Sequence, residues 1–138
     1  MNGPQLATGI NQIAISCHDV PRATVFYRDL LGIPFLFESN GIAFLQCGDT
    51  RLMLARPEGE GTGHFNSILF FRTDDIVSST AYLAVNGVPV VAQPALIARL
   101  ADREVWVSSF KDSEGNVMAF QQEKPFASVS PRTASESP

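Results

Sequence analysis

Residues 10–16 alternate, with Ile13 and Ile15 on one face and Gln12, Ala14 and Ser16 on the other, the period of a half-buried strand. A helical period follows. Ala23, Phe26, Tyr27, Leu30 and Leu31 recur at the spacing of one helix face. Asp19 stands at the N-cap position, Pro21 in the first turn and Gly32 past the end, each suited to its place. Three short apolar runs come next, at 35–38, 42–47 and 51–56, separated by the turn dipeptides Asn40-Gly41 and Gly48-Asp49. The pattern to this point reads β-α-β-β-β.

The same order then repeats. Residues 67–73 predict a strand, Asp74 a cap, a helix runs through Val85 to Asn86-Gly87, and strands are expected at 88–93, 104–110 and 116–121. Asp19, Gly32 and Pro34 fall on Asp74, Gly87 and Pro89, each pair 55 residues apart. The second copy differs by an insertion around 94–103. One helix covers one face of each small mixed sheet, so the other face must meet something else. The fold expected is α+β: two tandem βαβββ modules whose mixed sheets curve into a cup, with the helices on the outer face. Alternation turns Ile13, Ile15, Phe26, Leu30, Leu52, Leu54, Leu69, Phe71, Leu83, Met118 and Phe120 toward the helices. It turns Gln12, Ala14, Ser16, Arg51, Met53, Ile68, Phe70, Arg72, Val117, Ala119 and Gln121 into the cup.

Length and charge narrow the classes of function. The 138 residues suit one domain at 10–123, with modules 10–56 and 67–123, a linker at 57–66, a lead at 1–9 and a disordered tail at 124–138. A net charge of −4, with ten Lys and Arg scattered along the chain, argues against nucleic-acid and membrane partners. No apolar run reaches the roughly 18 residues of a membrane span, and the start lacks a signal-peptide pattern, so a cytoplasmic location is expected. Cys17 and Cys47 each lie in an expected strand and are read as buried thiols in a reducing compartment.

The duplicated unit, the run Asp-Val-x-Arg-Ala-x-x-Phe-Tyr-x-x-x-Leu-Gly at 19–32 and the Asp-Ser-Glu-Gly-Asn turn at 112–116 resemble the glyoxalase/bleomycin-resistance/extradiol-dioxygenase superfamily, the vicinal oxygen chelate proteins. The resemblance covers residues 10–123. It implies a divalent metal held in the cup by one side chain from the first and one from the last strand of each module, usually His or Gln, Glu, His and Glu. The matching positions here are Gln12, Met53, Ile68 and Ala119. Only Gln12 offers an oxygen, Met53 is a soft thioether, and the last two coordinate nothing. No one-residue slip of the fifth or last strand brings in a carboxylate or imidazole, so the expectation is no metal and no cofactor. Proteins of this resemblance commonly dimerise, and a homodimer is expected.

The pocket expected from alternation comprises Gln12, Ala14, Arg51, Met53, Ile68, Phe70, Arg72, Ala119 and Gln121. Phe35, Phe44, Phe70 and Trp106 are candidate apolar lining. Arg51 and Arg72 are either anion-binding groups inside the cup or strand-end arginines leaning into water. Arg99 falls in the insertion, where a loop would close over a ligand. His18 and His64 are read as solvated loop residues. Asp102 and Glu104 flank a loop and are not taken as an acid–base pair, and no phosphate loop, Ser-His-Asp set or Cys-x-x-Cys pair is present. The function expected is metal-free binding of a small, partly apolar organic molecule. The alternatives are a glyoxalase-type lyase or isomerase or a dioxygenase, and a dimerisation module.

Overall fold

A computed structural model describes residues 3–57 and 66–126. The chain divides into two compact units, residues 1–66 and 67–138. Each has the order β-α-β-β-β, and among the described residues each builds one four-stranded mixed sheet.

In the first unit the elements are β1 Gln12–Ser16, α1 Val20–Val25, β2 Phe35–Ser39, β3 Ile42–Cys47 and β4 Thr50–Ala55. The sheet order is β1-β4-β3-β2, with β1 parallel to β4 and the other pairs antiparallel. Asn40 and Gly41 both take positive φ, 54° and 78°, as a two-residue hairpin needs to match the twist of its strands. The Asp19 side chain accepts the Arg22 N–H at 3.0 Å and caps α1. Ile15, Leu45, Leu52, Leu54, Ala23, Phe26 and Tyr27 are buried, and the Phe26 and Tyr27 rings make a T-shaped pair with centroids 5.2 Å apart. The face expected to meet the helix is thus the core, with Ile13 and Leu30 half-buried at its margin.

The second unit contains β5 Phe70–Arg72, α2 Ile76–Val85, β6 Val90–Arg99, β7 Arg103–Lys111 and β8 Val117–Pro125, in the sheet order β5-β8-β7-β6. Leu83, Phe110, Met118 and Phe120 are buried, and Leu69 and Phe71 half-buried. Thr80 Oγ1 lies 2.8 Å from Ser108 Oγ, a buried hydroxyl pair that ties α2 to β7.

Several sequence expectations are corrected. The second helix is capped by Asp75, not Asp74: the Asp75 carboxylate accepts the Ser78 N–H at 3.1 Å and the Ser78 hydroxyl at 2.9 Å. The reason lies in the first helix, which continues from Val25 into a π-helical turn over Phe26–Leu30, with Leu31 N–H donating to Phe26 O. Asp19 to Gly32 spans 13 residues and Asp75 to Gly87 spans 12, so the first module carries one extra residue, absorbed as a single π turn. Both helices still end on a glycine of positive φ, Gly32 at 72° and Gly87 at 83°.

The expected insertion at 94–103 is not a loop. Its residues extend β6 to Arg99 and begin β7 at Arg103, making a long hairpin at the sheet edge. Pro94 is tolerated because β6 is an edge strand whose register breaks between Ala92 and Ala95. Arg99, expected on a closing loop, ends that strand, paired with Glu104 at 3.2 Å. The first strand of the second module is shorter than expected, Phe70–Arg72, whereas β8 runs on to Pro125, into the segment expected as tail. Residues 127–138, most of the linker and His64 lie outside the described residues.

Candidate functional site

In β1, β4, β5 and β8 the residues that alternate with the core set share the sheet face away from the helix, and the registers show which of them meet. In the first unit Gln12 stands opposite Arg51, and Ala14 and Phe44 both stand opposite Met53. Arg51 Nε donates to Gln12 Oε1 at 2.8 Å, and Gln12 Nε2 approaches Met53 Sδ at 3.5 Å. The Arg51 guanidinium also lies 5.8 Å from the centre of the Phe44 ring, which stacks on Phe37 at 4.6 Å. Four of the expected residues, Gln12, Ala14, Arg51 and Met53, therefore form one patch, and its polar groups are turned on one another.

The second unit brings Phe70 opposite Ala119 and Arg72 opposite Gln121. Phe70, Arg72 and Gln121 line a groove of about 600 Å³ with Thr73, Asp74, Arg103, Gln122 and Glu123. The groove opens where the short β5 stops and the longer β8 continues beside it. Its far wall is fixed by polar contacts. Arg103 donates to Glu123 at 3.0 Å and to Asp102 at 3.1 Å, Gln121 donates to Glu123 at 3.2 Å, and Gln122 bridges the Asp74 carbonyl and the Ile76 N–H. The Asp102 carboxyl is held below the usual carboxylate value by its hydrogen bond from Arg103, whose own pKa is raised in turn, first by that bond and then by the one to Glu123. Ile68 precedes β5 and is half exposed, whereas Ala119 on the inner strand β8 is buried between its neighbours.

Some lining residues depart from expectation. Trp106 stands opposite Gln122, the residue that holds the start of α2, so it lies on the helix side, with its Nε1 donating to Glu104 at 2.9 Å and Lys124 4.9 Å over its ring. Phe35 shares register with the core residue Leu45, and the irregularity before Phe37 puts Phe37 beside Phe44 instead. Glu123 and Arg103 were missed because the last strand was expected to stop at Gln121; two more steps of the same alternation reach Glu123. Asp74 was missed as a lining residue because it was assigned to the cap.

The four positions matching metal ligands can be tested against their surroundings. Gln12 Oε1, the one side-chain oxygen among them, already accepts from the Arg51 guanidinium. A fixed positive charge at the sole oxygen, next to a thioether, does not suit a hard divalent cation, and the other two positions carry hydrocarbon side chains with nothing to coordinate. Among the described residues no three His, Cys, Asp or Glu side chains are grouped as a metal site would need, and no helix is long and apolar enough to cross a membrane.

No curated protein matches the chain in sequence. Solved structures do resemble it. A lactoylglutathione lyase from Agrobacterium tumefaciens is 20% identical, with a TM-score of 0.68 over 84% of this chain and 94% of that one. TnmS3, an antibiotic binding protein from Streptomyces sp. CB03234, is 23% identical with a TM-score of 0.68, over 86% of this chain and 98% of that one. A superfamily member from Sphaerobacter thermophilus DSM 20745 is 19% identical with a TM-score of 0.71, over 86% and 99%. At these identities the likeness is one of fold. The family model described as Glyoxalase/Bleomycin resistance protein/Dioxygenase superfamily matches residues 9–120, and with the two βαβββ units it establishes that the chain belongs to that superfamily.

Proposed function

We propose that this chain binds a small, partly apolar organic molecule on the sheet faces turned away from its helices, without the divalent metal that the resemblance implies for the family's enzymes. One observation carries the reading: the four ligand positions hold Gln12, Met53, Ile68 and Ala119, and the only oxygen among them is engaged by Arg51. What surrounds those positions suits an organic ligand better than an ion. In the first unit Phe37 exposes about half its surface and Phe44 and Met53 are half-buried, and in the second Ile68 and Phe70 each expose about half of theirs. The antibiotic-binding relative shows that this fold serves in a binding protein. The lyase relative is the corresponding support for an enzyme, but a metal-dependent reaction of that kind needs donors these positions lack. The same reading takes the protein as a cytoplasmic homodimer with no nucleic-acid or membrane partner.

The test is a thermal-shift screen with apolar drugs and aromatic metabolites, run with and without chelator. A ligand that binds only the folded form raises the melting temperature. The expected result is a rise that survives chelation. A rise that disappears with chelator, or no rise with any compound, contradicts the proposal.

A further inference from the structure

We infer that the groove beside β5 takes a small zwitterion with an apolar body, of the kind an aromatic α-amino acid presents, its carboxylate on Arg72, its ammonium on Asp74 and its side chain against Phe70. This names a ligand class for the binding reading above and rests on it.

The inference comes from what the groove leaves unpaired. Of its charged side chains, Arg103 and Glu123 neutralise each other at 3.0 Å. Gln121 donates to Glu123, both ends of the Gln122 amide are taken by backbone, and the Thr73 hydroxyl lies 2.6 Å from that of Ser79. Two charges remain. Among the described residues neither the Arg72 guanidinium nor the Asp74 carboxylate has a hydrogen-bond or ion-pair partner, and they do not pair with each other, although both line one groove two residues apart. A purely anionic ligand would meet Arg72 and be repelled by Asp74, and a purely cationic one the reverse. A molecule carrying both charges satisfies both groups, and guanidinium and carboxylate each form charge-assisted hydrogen bonds with such partners. Phe70, 53% exposed and two residues before Arg72 on the same strand face, supplies the apolar contact.

The experiment titrates the full-length, nitrogen-15-labelled protein with L-phenylalanine, with 3-phenylpropionate, which keeps only the anion, and with 2-phenylethylamine, which keeps only the cation. The same titrations are run on Arg72→Gln and Asp74→Asn, both at exposed positions, with melting temperatures confirming that each variant folds. Phenylalanine is expected to give saturable amide shifts at residues 70–74 and 121–123. Affinity should fall by about tenfold or more for each singly charged probe, and in each variant for phenylalanine. Equal affinity for the three probes, full phenylalanine affinity in either variant, or shifts confined to the first unit would overturn the inference. If phenylalanine gives no saturable shift while an apolar compound still raises the melting temperature, this inference fails and the binding reading stands. If neither responds, both fail.

Discussion

The faces of the two sheets turned away from their helices are paired alike, by a first strand parallel to the last, and differ in what they leave over. In the first, Arg51 donates to Gln12, Gln12 approaches Met53 and Arg51 lies over Phe44, so the polar groups are turned on neighbours within the sheet. In the second, the equivalent stretch leaves the Arg72 and Asp74 side chains without partners among the described residues, in a groove that an exposed Phe70 also lines. A duplicated unit has thus produced one closed face and one open one. The lesson is that alternation places a residue on a face, while the neighbours decide whether its charge is available to a ligand.

The helices offer the sharpest way to break the parallel between modules. Deleting Ala81, an exposed residue of α2, rotates all that follows by about 100° and turns Leu83 out of the core. The expected cost is about 2–5 kcal/mol, that of losing a buried leucine. Deleting Asp29, an exposed residue of the π turn, removes the extra residue of the first helix and lets it close as an α-helix, at an expected cost of about 1 kcal/mol. Urea unfolding of both deletions decides. Equal costs would mean that the π turn is not an accommodated insertion.

The hairpin turns offer the next contrast. Asp112, 5% exposed, accepts the N–H groups of Glu114 and Asn116 at 2.8 Å each and the Asn116 amide at 3.0 Å, whereas Asp49 sits exposed in the corresponding turn of the first module. Replacing Asp112 by Ala strands these donors and should cost about 2–4 kcal/mol. Asp49→Ala should change stability by about 0.5 kcal/mol or less. Denaturant midpoints that move equally would show that the family-signature turn has no special structural weight.

What the sequence made legible follows the same physics. Strands β1, β3 and β4 were readable because a sheet with one covered face imposes strict alternation, and Ile15, Leu52 and Leu54 are buried as that pattern requires. The second cap was misplaced because a constant offset of 55 holds at Gly32 and Pro34 but conceals a residue inserted between cap and glycine; only the i→i−5 hydrogen bond of the π turn reveals it. The long β6–β7 hairpin was read as a loop because Pro94 and the charged residues after it break the apolar pattern, which an edge strand permits. For the candidate site, alternation was enough to group Gln12, Arg51 and Met53 on one face and Phe70, Arg72 and Gln121 on another. The partners Glu123 and Arg103 were not so grouped, since pairing across β7 and β8 leaves no local signature.

The smallest expected effect concerns the second cap. The hydrogen bonds that Asp75 accepts from Ser78, first from its N–H and then from its hydroxyl, hold the carboxyl below its ordinary value of 3.8. A depressed folded-state value means that the stabilisation is complete above the unfolded value and is lost as pH falls through the folded one. Wild type should therefore lose stability below about pH 4 more steeply than Asp75→Asn, which keeps a capping side chain without the titration. Parallel pH profiles of the urea midpoint would remove this contribution.

The central claim, binding without metal, is tested most directly by elemental analysis of the purified protein after dialysis against buffer containing zinc, nickel, manganese or iron. The account predicts retention far below one equivalent of any of them, because Gln12, Met53, Ile68 and Ala119 provide a single oxygen that Arg51 already engages. One equivalent of metal, retained through dialysis and removed by chelator with loss of ligand binding, would contradict it.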